Sequence, residues 1–266
     1  MKEDLSTLWR GNSEELLKAL HILTREGKLN ADSRRKLKQV HHLAQLIEPL
    51  IRKLHNTDSG MTVVDMGAGK SYLGFILTDL YLKQLGGARM ISIENRPELV
   101  ERSQKLASDS GFSMMEFIAS TIGEAHVKGS VDLVTALHAC DTATDDAIRF
   151  GLRHEARAFA LVPCCQAEVA SQLGGIPAPD RSPLYRQALH RREFGSHLTN
   201  VIRTLYLSSL GYQVTVTELV GWEHSMKNEL ILAEKKSGPE HPEALRSKQQ
   251  LESLLQTFPV RPTLLK

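Results

Sequence analysis

The 266-residue chain is short of several things, and each shortage excludes a class. Cysteine is scarce: three residues, at 140, 164 and 165, an odd number without disulfide-framework spacing, as expected of a reducing compartment. No apolar run approaches the roughly 20 residues that span a bilayer. The first residues, "MKEDLSTLWRGNSEELLKAL", lack the apolar core of a secretory leader. Net charge is only +2, so whole-chain electrostatics names no partner, and a nucleic-acid partner would have to be argued from local patches. No internal repeat or low-complexity tract is present. What remains is a soluble, cytoplasmic protein with no membrane partner. Its 41% apolar and 24% charged residues suit one large domain with appendages.

The N-terminal part reads as helical. Asn12 or Ser13 would cap a helix over 13–28, and Leu37, Val40, Leu43, Leu46, Ile47, Leu50 and Leu54 recur at helical spacing between Ala31 and His55. From Met61 the pattern changes to strands alternating with helices. "MTVVDM", "ARMISIEN", "MMEFIAS", "VDLVTALHAC" and "ARAFALVPCC" are the strands. "YLGFILTDLYLKQL", "RPELVERSQKLASDS" and "TATDDAIRFGLRH" are the helices between them. Such alternation implies parallel pairing, right-handed crossovers and a doubly wound sheet. Residues 166–210 read as a loop followed by a basic helical insertion. "GYQVTVTELVGWEHSMKNELILAEK" reads as two final strands with a ten-residue connection. The expected organisation is a helical extension over 1–56, an α/β domain over 57–236 and a polar helical tail over 237–266.

The most informative stretch is "VVDMGAGKSYLGF", Val63 to Phe75. A phosphate loop for nucleoside triphosphates needs a longer gap between its glycines. A dinucleotide turn needs a third glycine at fixed spacing, and its pyrophosphate would be repelled by Asp65. A ligand carrying an ammonium and a sulfonium would be welcomed there. The second strand ends in Glu94, where an acid accepts hydrogen bonds from ribose hydroxyls. Acid-Gly-x-Gly after one strand and an acid after the next fit S-adenosyl-L-methionine better than NAD. The bland alternative is that Asp65 caps the next helix. The terminal strand pair also suits a Rossmann-like, seven-stranded methyltransferase sheet, mostly parallel with an antiparallel last strand.

Together, "VVDMGAGKSYLGF", "LHACDTATDDAI", "VPCCQ" and "EHSMKNELIL" resemble a group of bacterial methyltransferase-domain proteins. That domain is shared more distantly with a eukaryotic tRNA 2′-O-methyltransferase and with methyltransferase-like proteins. The resemblance spans residues 34–235. Two positions depart from it: Ser71 stands where glycine is usual, and Gln166 where histidine is frequent. The donor set expected of such a domain is Asp65, Gly67, Ala68, Gly69, Lys70 and Tyr72 in the first turn. Glu94, Asn95, Thr121 and Leu137, at the next strand ends, complete it.

The acceptor would meet the donor near the fourth strand, where "LHACD" puts His138, Cys140 and Asp141, and "VPCCQ" puts Cys164, Cys165 and Gln166 beside them. Buried cysteines are ordinarily small hydrophobes, but here all three fall at adjacent strand ends. Three chemistries are open. Cys140 or Cys164 is a nucleophile, as in RNA 5-methylcytosine enzymes, its thiolate favoured by His138 or Lys227. Alternatively His138 or Asp141 is a base toward a hydroxyl or ring nitrogen, which the likeness to the tRNA 2′-O-methyltransferase implies. Zinc is the weakest option, because adjacent Cys164 and Cys165 point apart. Periodicity alone makes His224, Lys227 and Asn228 a surface loop; the resemblance implies acceptor contacts.

The insertion carries Arg181, Arg186, Arg191, Arg192 and Arg203 with His190 and His197, and Arg34, Arg35, Lys36 and Lys38 form a second cluster. Either patch is ordinary solvated surface or a set of phosphate contacts. With no DNA-reading motif present, structured tRNA or rRNA is the expected partner, with Arg191 and Arg192 on the acceptor side. A small-molecule or protein methyltransferase and a non-catalytic donor-binding module are the alternatives. Oligomeric state is not legible.

Overall fold

The computed structural model describes residues 14–24, 26–28, 31–55, 60–137, 139–163, 166–175, 180, 182–219 and 229–266. Seven strands form one sheet: β1 (Met61–Met66), β2 (Ala88–Glu94), β3 (Met115–Ala119), β4 (Leu133–Leu137), β5 (Ala158–Val162), β6 (Tyr212–Glu218) and β7 (Glu229–Lys235). Their order is β3-β2-β1-β4-β5-β7-β6. The first five pair in parallel, and β7 runs antiparallel to both β5 and β6. This is the mostly parallel, seven-stranded sheet that the strand–helix alternation and the terminal strand pair predict. Strand order reverses between β1 and β4, so the crevice for a ligand opens at their carboxyl ends.

The helices are α1 (Glu14–Ala19), α2 (Ala31–Leu54), α3 (Tyr72–Leu80), α4 (Pro97–Asp109), α5 (Thr142–Arg153), α6 (Glu168–Leu173), α7 (Ala188–Ser209) and α8 (Pro242–Thr257). β4 and β5 are near-continuous apolar runs because helices cover both faces of the sheet. On one face, Leu37, Leu43, Ile47 and Ile51 of α2 and Phe75 and Ile76 of α3 share a core with Val63 and Met90. On the other, Ala147, Ile148 and Phe150 of α5 pack with Val64, Ile91 and Phe159. Gly151 permits that approach, since a Cβ there would lie 2.3 Å from the Phe159 ring.

Three elements differ from expectation. The first helix stops at Ala19 instead of running to residue 28, because His21 takes φ +56° and turns the chain. α3 ends at Leu80, and a separate short turn follows over Leu82–Gln84. The 166–210 insertion holds α7 where one helix is expected and adds a short helix, α6, ahead of the expected loop. The tail docks: Leu251 of α8 and Val260 join Val169, Leu173, Leu198 and Ile202 in a third core. Among the described residues no helix is long and apolar enough to cross a membrane.

Candidate active site

At the carboxyl ends of β1, β2 and β4 lies a cleft of about 370 Å³, within the range of small-molecule sites. Gly67, Glu94, Asn95, Thr121 and Cys140 line it, so the structure gathers four of the expected donor residues and one candidate nucleophile. Gly67 and Gly69 hold φ of +66° and +58°, a region that glycine enters without strain. The turn is tied to β2 twice. The Ala68 N–H donates to the Ile93 carbonyl at 2.9 Å, and the Gly69 N–H donates to Glu94 Oε2 at 2.8 Å.

Glu94 is the anchor of the cleft. Burial alone would raise its carboxyl, but the Arg96 guanidinium and the backbone N–H groups of Gly69 and Arg96 hold it below the usual carboxylate range. Arg96 Nε donates to Oε1 at 2.7 Å and its N–H at 3.2 Å. A carboxylate has about four acceptor positions, so capacity remains for a ligand hydroxyl. Asp146, on the same face of α5 as Ala143, also lines the cleft. Among the described residues two carboxylates and no cation form its wall. Asp146 is not among the sequence candidates; its place three residues after Ala143, one helical turn from the β4 end, is the signal that could have found it.

Asp65 is placed beneath the glycine turn. It is 2% exposed, and the Thr135 hydroxyl donates to its Oδ1 at 2.7 Å. It does not cap α3, whose N-cap is Ser71. Burial, partly offset by Thr135, pushes its carboxyl up to about 7. Because the folded value exceeds the unfolded one, the native chain holds more protons than the unfolded chain from about pH 4 to 7. Stability is therefore expected to fall as pH rises through that window, by at most about 1.4 kcal/mol per pH unit from this group. Urea unfolding between pH 4 and 8 tests this: Asp65→Asn should flatten the profile, and an unchanged slope in that variant refutes the assignment.

Ser71 holds φ +53°, ψ +31°, with no side-chain capping bond. A left-handed residue other than glycine costs roughly 1–2 kcal/mol. Ser71→Gly is expected to stabilise the fold by about 1 kcal/mol, reduced by glycine's freedom in the unfolded chain. A lower melting temperature in that variant would show that the serine has a role beyond occupying the turn.

Asp141 also stands in strained backbone, φ +51° and ψ −122°. Its carboxylate accepts from the Ala167 and Glu168 N–H groups at 2.9 and 3.1 Å, satisfying the first turn of α6. Its side chain thus joins the β4 and β5 ends, while neighbouring Cys140 faces the cleft. The Arg203 guanidinium, 1% exposed, donates to the Asp141 carbonyl at 2.7 Å, to Asp145 Oδ1 at 2.7 Å and to Asn200 Oδ1 at 3.2 Å. Arg203 is therefore withdrawn from the basic patch in which sequence reading counted it. Gln166, 2% exposed, accepts from the Ser196 hydroxyl and donates to Asn200 at 3.4 Å, which keeps it beneath the surface where an acceptor would lie. Asn200 also donates to Glu229 at the start of β7.

Other candidates are dispersed. Leu137 packs on the core beside α3, and Lys70 and Tyr72 line a separate cleft toward α1 and α4. Arg191 lies against Gly174 at the end of α6, and Arg192 pairs with Glu193 at 2.8 Å. Arg34, Arg186, His190 and His197 are exposed. His138, Cys164, Cys165, Arg181, His224, Lys227 and Asn228 lie outside the described residues.

Residues 35–172 match a family model described as a methyltransferase domain. A glutathione S-transferase C-terminal domain-containing protein of Xenopus laevis is 28% identical over 170 residues, 63% of this chain and 25% of the relative. A Drosophila melanogaster homologue of that protein is 24% identical over 226 residues, 74% of this chain and 36% of the relative. The chain thus spans about a quarter to a third of the length of these relatives. Among solved structures, an SAH-bound methyltransferase of Podospora anserina superposes with a TM-score of 0.51 at 10% identity, covering 89% of this chain and 97% of that one. At that identity the likeness concerns the fold.

Proposed function

Because the chain belongs to the methyltransferase-domain family, we propose that it is an S-adenosyl-L-methionine-dependent methyltransferase acting on structured RNA, tRNA or rRNA. The observation that carries the donor assignment is the chemistry of the cleft wall. Glu94 and Asp146 put carboxylate oxygens on it, paired from outside the wall by Arg96 and Arg149, and the bare backbone of Gly67 lets a ligand approach closely. With acceptor oxygens and no cation on the wall, it suits a ribose and a sulfonium better than a pyrophosphate. The donor supplies an electrophilic methyl group on that sulfonium. Glu94, kept ionised, accepts from a ribose hydroxyl, and Asn95 and Thr121 stand beside it. Asp65 supports the turn from below. Cys140 faces the reacting side, and Asp141 holds α6 against the same strand end.

RNA as acceptor is supported by two things. The motifs resemble those of the tRNA 2′-O-methyltransferase, and exposed Arg186, His190 and Arg192 lie along the start of α7. α6, which separates Asp141 from Arg191, is only about 9 Å long, so these cations are within a few nucleotides of the cleft. The burial of Arg203 and the pairing of Arg192 shrink the patch. They favour, as a second reading, a small-molecule or protein acceptor.

Radiolabelled S-adenosyl-L-methionine, incubated with size-fractionated RNA and separately with total protein from a strain lacking the chain, discriminates these. Label in an RNA band that vanishes with Glu94→Ala is the expected result, and nucleoside digestion then identifies the methylated atom. Label in protein alone overturns the RNA acceptor. Donor binding without any transfer points to a small molecule or to a binding module that has lost catalysis.

A further inference from the structure

The second cleft, behind the donor turn, has no part in the function proposed above. It measures about 260 Å³ and lies where α1, the start of α3 and α4 meet. Leu99, Arg102, Ser103 and Leu106 face it from α4, at helix positions that share one side. Leu20 and Tyr72 supply further apolar wall, and Lys70 reaches it from the glycine turn.

Besides His21, it is lined by three polar side chains: Lys70, Arg102 and Ser103. Lys70 and Arg102 are exposed and make no ion pair or hydrogen bond among the described residues, and no carboxylate lines the cleft. Ser103 is 5% exposed, and its hydroxyl makes no hydrogen bond among the described residues but is not shut off from solvent, so it is open to a ligand. An ammonium, a guanidinium and a hydroxyl on the wall of one cleft match the oxygens of a phosphate better than a single-point acid. The leucine and tyrosine walls match a flat ring, against which an aromatic side chain can stack.

We infer that this cleft binds one nucleotide unit, a base with its phosphate, separate from the donor. The same chemistry is offered by a free nucleoside monophosphate and by an unstacked nucleotide of an RNA strand. Because Lys70 sits between Gly69 and Ser71, occupancy here touches the turn that forms the floor of the donor cleft.

The test is calorimetric titration of cytidine 5′-monophosphate, at low salt, into full-length protein presaturated with S-adenosylhomocysteine. Presaturation removes competition at the donor cleft, and the S-adenosylhomocysteine titration itself reports whether the donor reading holds. One site is expected. Arg102→Glu should weaken it roughly tenfold or more, while Arg102→Lys, which keeps the charge, retains most of the affinity. Thermal unfolding of both variants shows that the fold is intact. A short oligouridylate binding more tightly than the mononucleotide, with the same Arg102 dependence, assigns the site to an RNA strand; equal affinity assigns it to the free nucleotide. Inorganic phosphate binding as tightly as the nucleotide overturns the role of the apolar wall. No binding, or binding indifferent to Arg102→Glu, overturns the site.

Discussion

Asp145→Ala is expected to lower the thermal unfolding midpoint by roughly 10 °C, the largest effect of any single change considered. The variant leaves the Arg203 guanidinium buried without its carboxylate, and breaking one half of a buried pair costs about 3–5 kcal/mol. In a chain of this size each kcal/mol moves the midpoint by roughly 2–4 °C. Arg203 and Asp145 are 1% and 2% exposed as side chains, 2.7 Å apart, so solvent cannot take over the lost interaction. The same guanidinium holds the Asp141 carbonyl, and with it the strained turn that presents Cys140 to the cleft. Strain of that kind persists only where surrounding bonds over-determine it. The Arg203→Met/Asp145→Ala double variant should recover much of the stability, because both charges then leave together. A midpoint shift below about 2 °C for Asp145→Ala would mean that water reaches the pair and that the turn is held by other means.

The second large effect concerns the donor. Glu94→Ala is expected to weaken S-adenosylhomocysteine binding about a hundredfold or more, taking hydrogen bonds to a charged acceptor at about 1.5–3 kcal/mol each. Glu94→Gln keeps the shape and one acceptor oxygen, so a smaller loss of about tenfold is expected. The sign of the pH dependence follows from the same surroundings. Arg96 and two backbone N–H groups hold Glu94 below the ordinary carboxylate range, so its contribution to affinity is constant at neutral and alkaline pH. It is lost only when acid protonates the carboxyl. Calorimetry between pH 5 and 9 checks the constancy. Wild-type affinity in both glutamate variants would place the ribose elsewhere, and the donor assignment to this cleft would fall with it.

The two effects bear on different parts of one design. Glu94 receives a ligand at the wall of the cleft, whereas Arg203 never approaches it. Arg203 works through Asp141, Asp145 and Asn200 to fix the start of α5, just past the end of β4, against the middle of α7. Gln166 and Glu229 extend the same chain of hydrogen bonds toward the ends of β5 and β7. A buried network of this kind is stabilising only when every member is satisfied, which is why single deletions in it are costly.

The strand–helix alternation, the antiparallel close of the sheet and the glycine turn before an acid were legible in the order of residues alone. Each depends on local rules. Apolar runs of five or six residues bounded by turn signals make strands, and adjacent βα units admit one handedness of connection. Glu94 was legible for the same reason, because a strand end is a position that sequence defines. The side-chain directions were not. Asp65 is the penultimate residue of β1 and Glu94 the last of the neighbouring parallel β2, yet one lies under the turn against Thr135 and the other lines the cleft. Which way each points depends on a residue 70 positions away in one case and 25 in the other. Arg203 looks in sequence like one more cation of a basic helix, and only the packing of α7 against α6, α8 and β6 brings it to Asp145. Lys70 belongs by sequence to the donor turn, but the left-handed residues on either side aim it at a different cleft. Composition and periodicity determined the layers of this protein. Long-range contacts, which cancel or create charge at a given surface, decided which of its polar residues are available for chemistry.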